Sequence, residues 1–325
     1  MMKEKAQTSI IRAQGLYKEF NLEAGFFERN KKTVYAVNDV SFAIPRGSTY
    51  GLVGESGCGK STTARMIVSM YKATKGEILF YDKSQELQLS QLSPAQLRRY
   101  REQVKYIFQD PARSLNPRMT VLQVLTAALR YSSLWQGKEA ALQQAEKIIQ
   151  EVGLTPADLY RRPSEFSGGQ RQRISIARGL IMEPQLLICD EVVSALDVSV
   201  QGQILNLLQD LRQQRDLSLL FITHDLRVAC YFCDTIGVMY RGMLVEEAPA
   251  ANLYKEAAHP YTKLLFAGAQ GQFTQSNSEV KSVLEEELGC PFAHRCPCVM
   301  DKCHKSIPQM EERTPGHKLW CWLEQ

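Results

Sequence analysis

The sequence predicts an α/β fold whose chemistry lies at the C-terminal ends of sheet strands. Three stretches predict it. Tyr50 to Val53 forms a short apolar strand that runs into Gly54-Glu55-Ser56-Gly57-Cys58-Gly59-Lys60-Ser61, and Thr62 to Tyr71 follows as a helix with Ala64, Ile67, Val68 and Met70 facing inward. Leu186 to Cys189 is a second apolar strand, ending in Asp190-Glu191. Leu217 to Thr223 is a third, ending at His224-Asp225. Strand, glycine-rich loop and helix in that order is the context in which a G-x-x-x-x-G-K-S string cradles phosphate. Glycines let successive backbone N–H groups converge on phosphate oxygens, and the helix N-terminus adds a favourable dipole. Lys60 would reach the β- and γ-phosphates and Ser61 would offer its hydroxyl to Mg²⁺. The bland alternative is a flexible glycine turn before a helix.

Bulk properties narrow the class. A chain of 325 residues with 44% hydrophobic and 23% charged content has the balance of an ordinary globular protein and length for a substantial core. The net charge of +4 is too mild to indicate nucleic acid, and Lys31-Lys32 and Arg98-Arg99 are only short basic pairs. No stretch approaches the about 18 apolar residues that cross a bilayer, and the start lacks a signal-peptide core. A cytosolic location is expected, with any membrane role coming through a partner. Nine cysteines in a reducing compartment then indicate metal binding or burial rather than disulfides.

Along the chain, residues 10 to 53 alternate apolar and polar positions in short runs broken by Pro45-Arg46-Gly47, which predicts antiparallel strands leading into the cradle strand. Phe20, Phe26, Phe27 and Tyr35 are candidates to stack on a nucleotide base, or are simply core and edge residues. Gly76 to Tyr81 is a further strand, followed by a polar, Gln-rich connector. Ser93-Pro94 opens a helix through Tyr100, and Val104 to Phe108 is an apolar run ending at Gln109-Asp110-Pro111. Residues 119 to 152 are helical with an interruption near Gly137, so an inserted helical subdomain of about 95–180 is expected. Val200 to Leu211 is an amphipathic helix, and Val238 to Val245 a hairpin around Arg241-Gly242.

The strand ends carry the candidate chemistry. Adjacent side chains on a strand point to opposite faces, so Asp190 and Glu191 cannot share a role. Asp190 is placed to bind Mg²⁺ through its water shell, and Glu191 to orient and deprotonate an attacking water. His224 could hold the γ-phosphate, although a lone His is more often structural. Gln109 could ligate Mg²⁺ or the water through its amide oxygen, or lie on the surface. Ser167-Gly168-Gly169 is a second anion-binding device at a helix N-terminus. One chain hardly needs two for one phosphate, so the second is read as completing the site of another copy or homologue.

With these motifs in this order, the sequence resembles the ATP-binding-cassette (ABC) ATPases over roughly residues 10 to 265. The resemblance identifies Gly54 to Ser61 as Walker A, with Thr62 beside it, Gln109 as the Q-loop glutamine, Ser167-Gly168-Gly169-Gln170 as the signature, Leu186 to Asp190 as Walker B, Ser194-Ala195-Leu196-Asp197 as the D-loop and His224 as the switch histidine. Phe20 falls where the family places its adenine-stacking aromatic. It implies a RecA-like P-loop NTPase core with an antiparallel β subdomain and the helical insert, ATP and Mg²⁺ as cofactors, and a head-to-tail pairing that closes the signature over a partner's ATP. Gly54 to Ser61, Phe108-Gln109-Asp110-Pro111, Phe166 to Arg173 and His259-Pro260-Tyr261-Thr262 are similar, more narrowly, to the dipeptide/oligopeptide/nickel importer ATPases. That branch implies a peripheral subunit on the cytoplasmic face of the membrane. Its expected partners are a second ABC ATPase, homologous or identical, two transmembrane permeases and an extracytoplasmic solute-binding protein, with no nucleic acid. One departure stands out: Val192-Val193 replaces the usual Pro-Thr after the Glu, which leaves an ATP-binding regulatory subunit with little turnover as an alternative. A soluble ABC ATPase of the DNA-repair or translation type is the other; the modest helical insert and single cassette speak against it.

The tail, residues 266–325, is expected to be a cysteine-rich C-terminal extension. Cys290, Cys296, Cys303 and Cys321 are separated by five, six and seventeen residues, among prolines that discourage helices. Four thiolates in a loop-rich segment with little core of its own suggest a metal. Zinc knuckles favour C-x2-C, which these four lack, while wider spacing suits a cubane with one thiolate per iron. The importer branch often carries Cys-Pro-Phe…Arg-Cys-Pro…Cys tails that bind a [4Fe–4S] cluster, and Cys290-Pro291-Phe292-Ala293-His294-Arg295-Cys296-Pro297 resembles them. Zinc and unliganded thiols stay open as alternatives, with Cys298 as the spare.

Overall fold

A computed structural model describes residues 9–22, 32–82, 85–268 and 289–324. Phe26 and Phe27, two of the stacking candidates, lie outside the described residues. The strands are β1 (Ser9–Leu22), β2 (Lys32–Pro45), β3 (Thr49–Val53), β4 (Lys75–Asp82), β5 (Gln85–Gln88), β6 (Val104–Ile107), β7 (Leu186–Asp190), β8 (Ser218–Thr223), β9 (Thr235–Tyr240), β10 (Met243–Pro249), β11 (Glu311–Thr314) and β12 (His317–Leu319). The helices are α1 (Lys60–Ile67), α2 (Pro94–Gln103), α3 (Pro111–Ser114), α4 (Val121–Leu129), α5 (Lys138–Glu151), α6 (Gly168–Leu180), α7 (Val198–Arg215), α8 (Leu226–Phe232), α9 (Ala250–Glu256) and α10 (Pro260–Gly268). Among the described residues no helix is long and apolar enough to cross a membrane.

The chain divides into two compact units. One is built mainly on Ile44–Ser48 and Gln91–Ile222, the other on Ile11–Ala43, Thr49–Ser90 and Thr223–Gln325. In the first, β6, β7 and β8 pair in parallel, Val104 opposite Leu186 and Leu186 opposite Ser218. Every residue of β7 and β8 is buried, as expected of parallel strands covered on both faces. The helices of this unit start where their caps predict. Ser93 and Gln96 form a capping box ahead of α2, and Thr120 and Gln123 form one ahead of α4. Val121, Val124, Leu125 and Leu129 of α4 and Ala141, Ala145, Ile148 and Ile149 of α5 are the buried stripes. The break between these helices ends at Gly137, at φ 108°, the interruption expected from the sequence.

In the second unit β1 pairs with β4 and β4 with β5, both antiparallel, in a sheet of order β2-β1-β4-β5. The stretch after β4 is therefore not a connector. Leu87 lies opposite Phe80 and Gln88 opposite Leu79, so the Gln-rich segment returns as an edge strand. β3 does not join this antiparallel sheet; it pairs in parallel with β9, and β9 turns back into β10. Both residues of that hairpin turn, Arg241 and Gly242, have positive φ, the geometry that matches strand twist. The helix after the phosphate loop stops at Ile67 rather than Tyr71, because Ser69 takes a left-handed conformation. Ala64, Ile67 and Val68 are buried as expected, but Met70, past the break, is 47% exposed.

The described part of the tail pairs with the sheet of the second unit. β12 adds antiparallel to β10, Glu246 opposite Leu319 and Glu247 opposite Lys318, and β11 adds to β12. Buried polar groups fix this register. Glu246, fully buried, accepts from the backbone N–H groups of Ala258 and His259 at 2.8 and 3.0 Å and lies 2.8 Å from His317 Nε2. Glu247 takes Lys318 Nζ at 2.6 Å and the Tyr50 hydroxyl at 2.7 Å.

Candidate active site

The phosphate loop is built inside the second unit. All five residues of β3 are buried, so the chain enters the loop at a fixed point, and α1 begins at Lys60. Two glycines are obligatory by space as well as by φ. A Cβ on Gly54 would lie 2.2 Å from the Met239 carbonyl oxygen, and one on Gly59, at φ +104°, 2.3 Å from the Ala36 carbonyl oxygen. Ser56 and Gly57 form the exposed tip, and Ser61 and Thr62 sit half-buried in the first turn of α1. Lys60 Nζ donates to the carbonyl oxygens of Gly54 and Glu55 at 2.7 and 2.8 Å, so the ammonium is held within the loop. Cys58 packs beneath it. Burial pushes this thiol's pKa up against the pull of Lys60, which keeps it a small neutral filler rather than a redox centre. A loop whose Cβ-free positions press on backbone, ahead of a helix N-terminus and a captive ammonium, fits a nucleotide polyphosphate.

The acids are built inside the first unit. β7 delivers Asp190 almost fully buried, and the Tyr106 hydroxyl on β6 donates to its Oδ2. Glu191 differs from expectation in cause. It is not a strand residue whose side chain alternates; its φ is +49°, so the backbone itself leaves the sheet after Asp190. The Ser194 N–H and hydroxyl both donate to the Glu191 carbonyl, at 3.2 and 2.9 Å, and the Glu191 N–H donates to the Ile222 carbonyl at 3.0 Å. Gln109 Nε2 then donates to Glu191 Oε2 at 2.6 Å. Val192 and Val193 are buried, so the departure from the family pattern packs inward below the acid. Among the candidate donors, Ser61 supplies a hydroxyl and Asp190 a carboxylate, oxygen ligands of the type Mg²⁺ takes.

Ser167 is the N-cap of α6. Its Oγ accepts from the Gln170 N–H at 3.3 Å, while Gln170 Oε1 accepts from the Ser167 N–H at 3.0 Å. The capping bond uses Ser167 as an acceptor and leaves its hydroxyl proton to aim elsewhere. A Cβ on Gly169 would lie 2.7 Å from Val200 Cγ1, and one on Gly168 3.7 Å from Leu196, so the glycines let the start of α6 lie beside the start of α7 and its exposed N-cap Asp197. In the second unit, His224 follows β8 at an exposed position, before Asp225 caps α8. Phe20 packs edge-on against Tyr71 at 5.5 Å with Lys18 Nζ 5.0 Å from its ring.

Three contacting residues carry no sequence signal for their role. Tyr106 sits in an apolar run that reads only as strand. Tyr261 accepts the Glu55 N–H at 2.9 Å, and Arg295 pairs with the Glu55 carboxylate at 2.8 and 2.9 Å. Tyr261 lies in a stretch singled out only for its resemblance.

The tail corrects one expectation. Among the described residues, no group of three or more His, Cys, Asp or Glu side chains is arranged to hold a metal ion. A metal-binding tail on Cys290, Cys296, Cys303 and Cys321 is therefore not supported by the arrangement of these side chains. The tail is instead held by polar and aromatic packing: Phe292 lies 5.1 Å from the Tyr240 ring, 5.4 Å from Tyr261 and 5.7 Å from His259. Cys303 and Cys321 are buried and Cys298 is exposed.

A glycine cradle with its captive lysine in one unit, and a buried acid with a glutamine-held second acid in the other, are each features of the phosphate-loop NTPase class. Comparison with known proteins gives the family. Residues 37–194 match the family model described as ABC transporter, and residues 245–303 match the one described as Oligopeptide/dipeptide transporter, C-terminal region. The oligopeptide transport ATP-binding protein AppF of Bacillus subtilis is 41% identical over 98% of both chains. The dimeric ABC transporter cassette MJ0796 matches with a TM-score of 0.63 at 26% identity, covering 74% of this chain and 98% of that one. The cbiO1 subunit of Clostridium perfringens shares the fold, with a TM-score of 0.65 at 24% identity over 77% and 92% of the two chains. The chain belongs to the ABC transporter ATP-binding family and is an ABC ATPase.

Proposed function

We propose that the chain is the ATP-hydrolysing subunit of a membrane importer for peptides or related solutes such as nickel chelates. The observation that carries this is the likeness to AppF along nearly the whole length, tail included. In this reading residues 1–265 are the cassette, with a helical subdomain at about 95–180, and 266–325 are a C-terminal extension. The loop amides from Gly54 to Ser61, with Lys60 and Thr62, take the phosphates, and Phe20 the base. Ser61, Asp190 and Gln109 serve Mg²⁺, which supplies charge neutralisation on the transferring phosphoryl group. Glu191 takes a proton from water, and His224 steadies the phosphate. Ser167 to Gln170 and Asp197 act on the nucleotide of a second ATPase, homologous or identical. Two permeases and an extracytoplasmic solute-binding protein complete the assembly, with this subunit on the cytoplasmic face.

The test is phosphate release by the reconstituted importer with peptide-loaded binding protein, beside a Glu191→Gln variant. Peptide-stimulated release that the variant loses supports the reading; release indifferent to peptide, or equal in both, overturns it.

For the tail, we propose a [4Fe–4S] cluster on Cys290, Cys296, Cys303 and Cys321, for which these side chains would have to rearrange from the positions described. It rests on the resemblance of Cys290 to Pro297 to the tails of the importer branch and on the match of residues 245–303 to the Oligopeptide/dipeptide transporter, C-terminal region. Anaerobic purification decides it. Iron and acid-labile sulfide at four each per chain support the cluster; zinc alone, or no metal, removes it.

A further inference from the structure

We propose that the tail sets the nucleotide affinity of the phosphate loop through Arg295, a positioning residue that holds and neutralises Glu55. Glu55 is the second residue of the loop, and each of its polar groups is engaged. Its carboxylate takes the two Nη atoms of Arg295, its N–H goes to the Tyr261 hydroxyl, and its carbonyl accepts from Lys60 Nζ. Arg295 is itself fixed. It closes the short turn Ala293–Arg295 just after Phe292, which is buried against Tyr240, Tyr261 and His259. Its guanidinium also stands 5.8 Å from the Tyr240 ring and 5.9 Å from the Phe292 ring.

Geometry and charge point the same way. The pair is 38% and 44% exposed, so Coulomb attraction alone contributes little. A two-pronged guanidinium–carboxylate contact, however, fixes the orientation of the residue it grips. A carboxylate in a loop built to receive polyphosphate also repels its ligand unless a cation is paired with it. Arg295 supplies that cation from 240 residues away. The inference rests on the loop's role in binding nucleotide and adds the residue outside the cassette motifs that adjusts it.

The experiment is MgADP binding to the full-length chain by titration calorimetry, with thermal unfolding recorded alongside. Arg295→Gln leaves Glu55 unneutralised and is expected to weaken MgADP binding roughly three- to ten-fold. It should raise the KM for ATP while leaving kcat within about two-fold. Arg295→Lys keeps the charge but loses the fork, and is expected to fall between. The double variant Glu55→Gln with Arg295→Gln removes the uncompensated charge and is expected to recover affinity to within about two-fold of wild type. Unchanged binding in Arg295→Gln overturns the inference. So does a double variant as weak as the single one, which would assign Arg295 to tail packing alone. A wild-type chain that fails to bind MgADP overturns the nucleotide site and the inference with it.

Discussion

The side-chain amide of Gln109 donates to the Glu191 carboxylate at 2.6 Å, joining the residue that follows β6 and Phe108 to the one that follows β7. A neutral donor fixes the orientation of this carboxylate, the group proposed to take a proton from water. Glu191→Gln is expected to lower ATP turnover by roughly 10²–10⁴-fold with nucleotide binding retained. Gln109→Ala, which frees the carboxylate to rotate, is expected to cost roughly ten- to a hundred-fold. Phosphate release from the assembled complex measures both, and undiminished turnover in Glu191→Gln would remove that residue from the chemistry.

Gly59 and Gly57 separate steric from conformational demand in the phosphate loop. Both have positive φ, +104° and +80°, but a Cβ on Gly57 has nothing within 4 Å whereas one on Gly59 meets the Ala36 carbonyl. Gly57→Ala bears the backbone strain alone, about 1–2 kcal/mol. Gly59→Ala adds a clash with backbone, and is expected to lose nucleotide affinity by at least about ten-fold more than Gly57→Ala. Nucleotide titration of the two variants checks the order.

Glu246 ties the tail strand to β10. Replacing it with Ala strands two buried backbone N–H groups and removes the partner of buried His317. The expected cost is about 3 kcal/mol or more. It is read as a lower denaturant midpoint, and an unchanged midpoint would show that the tail's docking does not depend on this carboxylate.

His259 gives the fold an acid limit. Burial, with a smaller contribution from Lys263, lowers its pKa to about 3, and its Nδ1 accepts from the Tyr261 N–H at 3.1 Å, which requires the neutral ring. The unfolded chain binds this proton near the ordinary His pKa of about 6.5. The unfolded state therefore carries more protons at any pH between the two values. Stability from this group is complete above about pH 6.5 and falls by about 1.4 kcal/mol per pH unit on acidification toward pH 3. His259→Asn, which keeps an acceptor but does not titrate, is expected to flatten that slope in thermal unfolding from pH 7 to pH 5.

The local motifs were legible because each is a short string with its own geometry. The glycine loop, the apolar strand before Asp190, the helix start at Ser167-Gly168-Gly169 and the Arg241-Gly242 turn each depend on residues within a few positions of one another. The phosphate loop reads plainly for the same reason. Legibility failed where a local pattern was ambiguous. The mostly polar stretch at Gln85–Gln88 pairs as a strand because β4 offers an open edge, and four residues with Leu87 alone apolar carry no periodicity to announce that. Met70 keeps the helical spacing but lies beyond a left-handed Ser69 that ends the helix.

What the order of residues supplies by itself is the set of groups proposed for the chemistry: the loop amides, Lys60, Asp190, Glu191 and Gln109. Only the tertiary structure decided what holds them. It set Tyr106 against Asp190, turned Glu191 out of its strand, and brought Tyr261 and Arg295 to Glu55. Backbone geometry and capping are properties of neighbours in sequence, whereas an ion pair spanning 240 residues exists only once β10 has received the tail. A hydrogen bond of that kind leaves no spacing in the chain to be read, because its two ends share no helix turn, strand or loop.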